Sequence, residues 1–169
     1  VPMSDRSSLL RSLNQIRWNR LKKSQKLDLL RAYGLVFARL GKPTKTELDQ
    51  LAAKFGEHYP NSDGDLNHEL CRVLVFVSAP DVVSKTLDLI AKAGTQEEQI
   101  HYILCLSSLE DGWTPETRRA YFEWFPAAGK QRGGHSFVGF RKNIRAEAIK
   151  RLKDADRKSL KTLIDAPIG

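Results

Sequence analysis

Residues 65–79, DLNHELCRVLVFVSA, and 80–93, PDVVSKTLDLIAKA, decide the fold. In the first, Leu66, Leu70, Val73, Leu74 and Val77 recur at helical spacing. In the second, Val83, Leu87 and Ile90 do the same, with Val82, Leu89 and Ala93 widening the face. Both are predicted as short helices joined by a turn at Pro80, whose missing N–H suits a first helical turn. The run VLVFV at 73–77 is apolar and β-branched enough for a strand. The helical period around it, and the lack of a partner strand with turn signals, favour helix. One such hairpin cannot bury both stripes alone, so helical neighbours are needed on either side.

Those neighbours are legible outward from it. On the N-terminal side, SSLLRSLNQIRW (7–18) and the stretch 24–40 read as helices, the second ended by Gly41 and Pro43. Thr44 with Glu47 three residues on forms a capping box for a helix that Gly56 stops. HYPNSDGD (58–65) is a polar loop. On the C-terminal side, Gly94 closes a helix, and Thr95 with Glu98 caps the next, which runs to Gly112. Thr114-Pro115 starts another, ending before Pro126 or at Gly129. After the loop GKQRGGH (129–135), Ser136 is predicted to cap a helix through Leu152, and Asp154 to open a last short one.

The predicted helix starts pair as 24 with 44, 65 with 80, 95 with 114 and 136 with 154, and successive pairs begin 41, 30 and 41 residues apart. That is the spacing of two-helix solenoid repeats with loop insertions. At 169 residues, 41% apolar and 28% charged, the chain has the composition of one ordinary globular domain. No run approaches the roughly 18 apolar residues of a membrane span, and VPMSDRSS lacks a charged-then-apolar leader pattern.

The net charge of +8 is uneven: +9 over residues 1–45, −8 over 46–115 and +7 over 116–169. Solvated helix faces and attraction between neighbouring modules account for this, and a polyanion-binding surface at either basic end is the sharper reading. Cys71 and Cys105 each follow a leucine in an apolar helix, which points to buried thiols. Equivalent positions on adjacent repeats leave a disulfide between them open.

Four stretches together resemble one family: LDLLRAYGLVFARLGKP (27–43), LNHELCRVLVFVSAPDVVSKTLDLI (66–90), TQEEQIHYILCLSSLEDGWTPETRRAYFEWF (95–125) and GGHSFVGFRKNIRAEAI (133–149). They are similar to the HEAT-like repeats of large, multidomain, extracytoplasmic bacterial proteins. There the repeats lie between a β-propeller-like, membrane-bound-dehydrogenase-type module and a c-type cytochrome module. LNHEL and GGHSFVGF are the most specific pieces. The resemblance implies an all-α chain: a right-handed α-solenoid of about four HEAT-like hairpins, residues 1–169 forming a single domain within a larger multidomain protein. It further implies a periplasmic or otherwise extracytoplasmic scaffold, its chemistry residing in other modules.

Candidate sites follow from residue type. No nucleophile elbow, phosphate loop, dinucleotide fingerprint or H-E-x-x-H is present, and no cofactor, metal or catalytic group is expected. His58, His68, His101 and His135 are read as having no i, i+4 pairing with one another and no cysteine nearby in sequence, which argues against metal ligation. Half of the 14 aromatics fall within 113–140, and Arg118, Arg119, Tyr121 and Trp124 form a candidate aromatic-basic surface. Lys130, Arg132, Gly133, Gly134, Ser136 and Arg141 form a candidate anion or partner site, built on a glycine turn before a helix. A non-catalytic scaffold binding a protein partner or adjacent domains is the leading expectation. A HEAT-type nucleic-acid-binding protein using the basic, aromatic C-terminal third is the alternative.

Overall fold

Side-chain caps mark where four of the described helices begin. In this computed structural model, which describes residues 3–128 and 135–168, Thr44 Oγ1 accepts the Glu47 N–H and Glu47 Oε2 accepts the Thr44 N–H. That capping box opens α3 (Lys45–Gly56). Asp63 caps α4 (Gly64–Phe76), Thr95 caps α6 (Gln96–Leu106), and Thr114 Oγ1 accepts the Thr117 N–H at the start of α7 (Pro115–Ala128). The others are α1 (Met3–Asn14), α2 (Lys23–Leu40), α5 (Val82–Lys92), α8 (His135–Lys150), α9 (Asp154–Ser159) and α10 (Lys161–Asp165). The described residues are all-helical, with no strand among them. Residues 73–76 of VLVFV lie in α4 because Leu66, Leu70, Val73 and Leu74 all bury one stripe.

Several boundaries differ from the predicted ones. Pro80 is not at the start of α5, which begins at Val82. The reason is how α4 ends. Ser78 turns left-handed at φ 51°, its N–H bonds to Val75 O, and the Ala79 N–H reaches back to Leu74 O at 2.9 Å. This is a Schellman closure with serine where glycine is usual, and it uses up the residues before Pro80. Helix α6 stops at Leu106, short of Gly112, as the hydroxyls of Ser107 and Ser108 bond to Leu104 O and Cys105 O. Helix α7 continues through Pro126 to Ala128. Helix α8 begins at His135, one residue before the predicted cap Ser136, whose side chain lies outside the described residues. The short terminal helix is two pieces, parted at Leu160.

The chain divides into two compact units, 1–79 and 80–169, and the border falls at the Ala79–Pro80 turn itself. In unit 1, α2 packs on α1 and α4, and α3 on α4. Its core is Leu30, Tyr33, Leu51, Phe55, Leu70 and Leu74. Tyr33 and Trp18 both meet the Phe55 ring edge-on, at 5.2 and 5.7 Å. The loop before α4 is fastened by Asn67, a residue of LNHEL: its amide accepts the Asn61 N–H and donates to Asn61 O. In unit 2, α5 packs on α6 and α7, α8 on α6 and α7, and α10 on α7 and α9. Tyr102, Ile103, Leu106, Tyr121, Phe122 and Phe125 fill its centre.

Candidate functional site

Helix α2 turns Leu30, Tyr33 and Phe37 inward, which leaves Gly34, Leu35 and Ala38 facing out. Helix α4 buries Leu70, Val73 and Leu74 and leaves Glu69, Arg72 and Phe76 along its outer edge. Between these edges runs an open groove of about 540 Å³. Leu30, Phe37 and Val73 floor it, and Leu35 and Phe76 stand beside them, 60% and 40% exposed. Phe76 is held in place by lying flat on Phe37, ring centroids 4.3 Å apart. At the rim, the half-buried Glu69 carboxylate sits 3.4 Å from Arg31 Nε and 3.7 Å from an Arg72 nitrogen. Both arginine side chains stay more than half exposed.

The residues predicted as an aromatic-basic surface separate. Helical spacing sets 118, 121, 122 and 125 on one face, and that face is the core of unit 2. Arg118 is therefore buried, over the Trp113 ring at 5.3 Å, 3.5 Å from Asp156, and donating to Glu110 O. Tyr121 is buried too: its hydroxyl donates to Ile103 O at 3.0 Å, and burial pushes its pKa well above the ordinary value. Arg119 does lie on the surface, paired with Glu123 at 2.9 Å. Trp124 is half-buried, its Nε1–H donating to Gln99 Oε1.

Of the predicted anion site, Lys130, Arg132, Gly133 and Gly134 lie outside the described residues. Arg141 is 2% exposed and donates to Ala128 O. Its charge is thus turned inward, which corrects its placement as a surface cation. Among the described residues no group of three or more His, Cys, Asp or Glu is placed to hold a metal ion. No helix among them is long and apolar enough to cross a membrane.

Other polar contacts escaped sequence reasoning. Lys54 Nζ donates to the carbonyls of Leu13, Asn14 and Ile16 at the end of α1, and lies over the Tyr33 and Phe55 rings. Desolvation there lowers its pKa. Arg6 likewise donates to Lys42 O, and Arg145 to Leu163 O and Ala166 O. Basic residues near predicted helix ends were the available signal, but their partners lie 18 to 41 residues away. Cys71 and Cys105 are both thiols. Cys105 Sγ is 3.6 Å from His101 Nε2 within α6, and Cys71 follows His68 by three residues within α4, so two histidines do have a cysteine about one helical turn away. His58 stacks on Trp18 at 4.9 Å.

Compared with models of known protein families, with curated proteins and with solved structures, the chain matches none.

Proposed function

We propose that this chain is a non-catalytic helical-repeat scaffold of the HEAT-like type, which binds a protein partner within a larger exported protein. The α2–α4 groove is the observation on which this reading rests. It is open, apolar and rimmed by charge, which is the make-up of a surface that takes another chain's side chains. Helix order adds support. Helices two apart in the chain pack together, α2 on α4 in unit 1 and α5 on α7 and α6 on α8 in unit 2, as stacked helical pairs require. The basic charge that a nucleic-acid reading would call on is partly committed elsewhere, since Arg118, Arg141 and Arg145 serve backbone carbonyls.

The full native polypeptide tests the setting. Its open reading frame should hold an export signal before this segment and a C-x-x-C-H haem motif after it, and a polypeptide with neither refutes the exported, multidomain part. Turnover of an ester, phosphoester or glycoside by the purified chain refutes the non-catalytic part. Salt-dependent duplex DNA binding near 50 mM salt, tighter than any protein binding, would replace the reading with the nucleic-acid one.

A further inference from the structure

Gly34, like Gly139 inside α8, is a glycine that the chain's own packing does not explain, and of the two it is the one that lines a groove. It stands inside α2, where only proline is a poorer helix former. A Cβ built on it would meet no atom within 4 Å, and its φ lies outside the left-handed range. Neither a turn nor a close internal contact calls for glycine there. One helical turn on, Ala38 is also small and exposed, so the groove wall at this level is bare backbone. Leu35 and Phe76 rise beside that strip. Small residues on one helix let the axis of another come close, and a raised apolar border then grips its ridge.

Charge narrows the partner further. Arg31 and Arg72 share the Glu69 carboxylate, Arg31 also lies 3.8 Å from Asp28, and both arginine side chains stay more than half exposed. Arg39 adds another exposed cation on α2. The apolar floor disfavours a phosphate backbone, and a concave trough disfavours a flat bilayer.

We infer that the α2–α4 groove docks an amphipathic helix of a protein partner whose apolar ridge is bordered by acidic residues. The ridge seats over Gly34 and Ala38 between Leu35 and Phe76, and the carboxylates meet Arg31 and Arg72. This rests on the protein-binding reading above and specifies its partner. The test uses the full chain and two fluorescein-labelled, helix-stapled peptides with the same leucine stripe, one flanked by glutamates and the other by lysines. In anisotropy titrations the glutamate peptide should bind about tenfold tighter or more. Gly34→Leu should weaken it by about tenfold with an unchanged circular dichroism spectrum, since leucine favours the helix. The Arg31→Gln, Arg72→Gln double variant should abolish the preference between the peptides. Equal binding of both peptides, or a Gly34→Leu chain that binds as well as wild type, overturns the inference. So does a sedimenting dimer that Gly34→Leu dissociates, which would make a second copy the occupant. Binding to phosphatidylserine vesicles that Gly34→Leu abolishes overturns it in favour of a membrane. None of these results touches the reading-frame and turnover tests, so the broader scaffold reading stands or falls separately.

Discussion

Glu47 offers the sharpest test of how unit 1 is held together. Its carboxylate accepts the Thr44 N–H at 2.8 Å, the Thr44 hydroxyl at 3.0 Å and the Ser7 hydroxyl at 2.9 Å. It also lies 3.6 Å from Arg6, which is 7% exposed. One side chain thus caps α3 and ties α1 to it. Glu47→Gln keeps the shape and one acceptor but removes the charge that faces Arg6. Charge-assisted hydrogen bonds contribute about 1.5–3 kcal/mol against about 1 for neutral ones, so the loss should be about 1–2 kcal/mol. Glu47→Ala also strands the Ser7 and Arg6 donors and half the capping box, for about 2–4 kcal/mol. Urea titration followed by Trp18 fluorescence, in a Trp113→Phe, Trp124→Phe background, reads unit 1. Burial pushes the Glu47 pKa up, but the bonds from Thr44 and Ser7 and the nearby Arg6 outweigh it, and the net shift is below the ordinary 4.5. A depressed carboxyl contributes stability that is present above 4.5 and lost as pH falls through the folded value. The wild-type and Glu47→Gln curves should therefore converge in acid. Equal stability at pH 7, or a gap that persists undiminished below the folded pKa, refutes the reasoning.

Leu74→Ala should destabilise by about 2–5 kcal/mol, since that side chain is 1% exposed, while exposed Arg72→Ala should stay within about 0.5 kcal/mol in the same titration. Ser78→Gly should raise stability by about 0.5–1 kcal/mol, because glycine takes the left-handed position without the Cβ penalty; a loss instead would mean the Schellman turn is not the stop. For His58, desolvation, with Lys26 assisting and Glu57 opposing, lowers the pKa from 6.5. The unfolded chain then binds more protons between the two values, so this contribution is present above 6.5 and lost as pH falls through the folded pKa. Acid titration should quench Trp18, on which His58 stacks, with a midpoint below 6.5, and His58→Gln should abolish that step.

Local rules read well and distant partners did not. Thr44 and Glu47 are three residues apart, so their capping box was visible in the sequence. The bond from Ser7 to the same carboxylate spans 40 residues, and no spacing rule reaches it. Arg118 and Tyr121 show the same limit: their residue types suit a stacking surface, but the period that places them with Phe122 and Phe125 turns them to the core. Gly34 went unread in the sequence, because its meaning depends on the empty space around it. Ser78 was missed because serine, unlike glycine, does not announce a left-handed turn.

The arginines that bond backbone carbonyls constrain how this chain's isoelectric point can drift. Arg6, Arg118, Arg141 and Arg145 each send a guanidinium to a backbone carbonyl from a site that solvent scarcely or only partly reaches. Lysine can serve such carbonyls, as Lys54 does at the end of α1, but it offers neither the planar fork nor the weaker hydration that suits the guanidinium to these four sites. A lineage moving away from the present pI of about 9.6 must therefore add aspartate and glutamate, or shed surface lysines, while these four positions stay arginine. Alkalinity in this chain is in part a by-product of giving backbone carbonyls a donor.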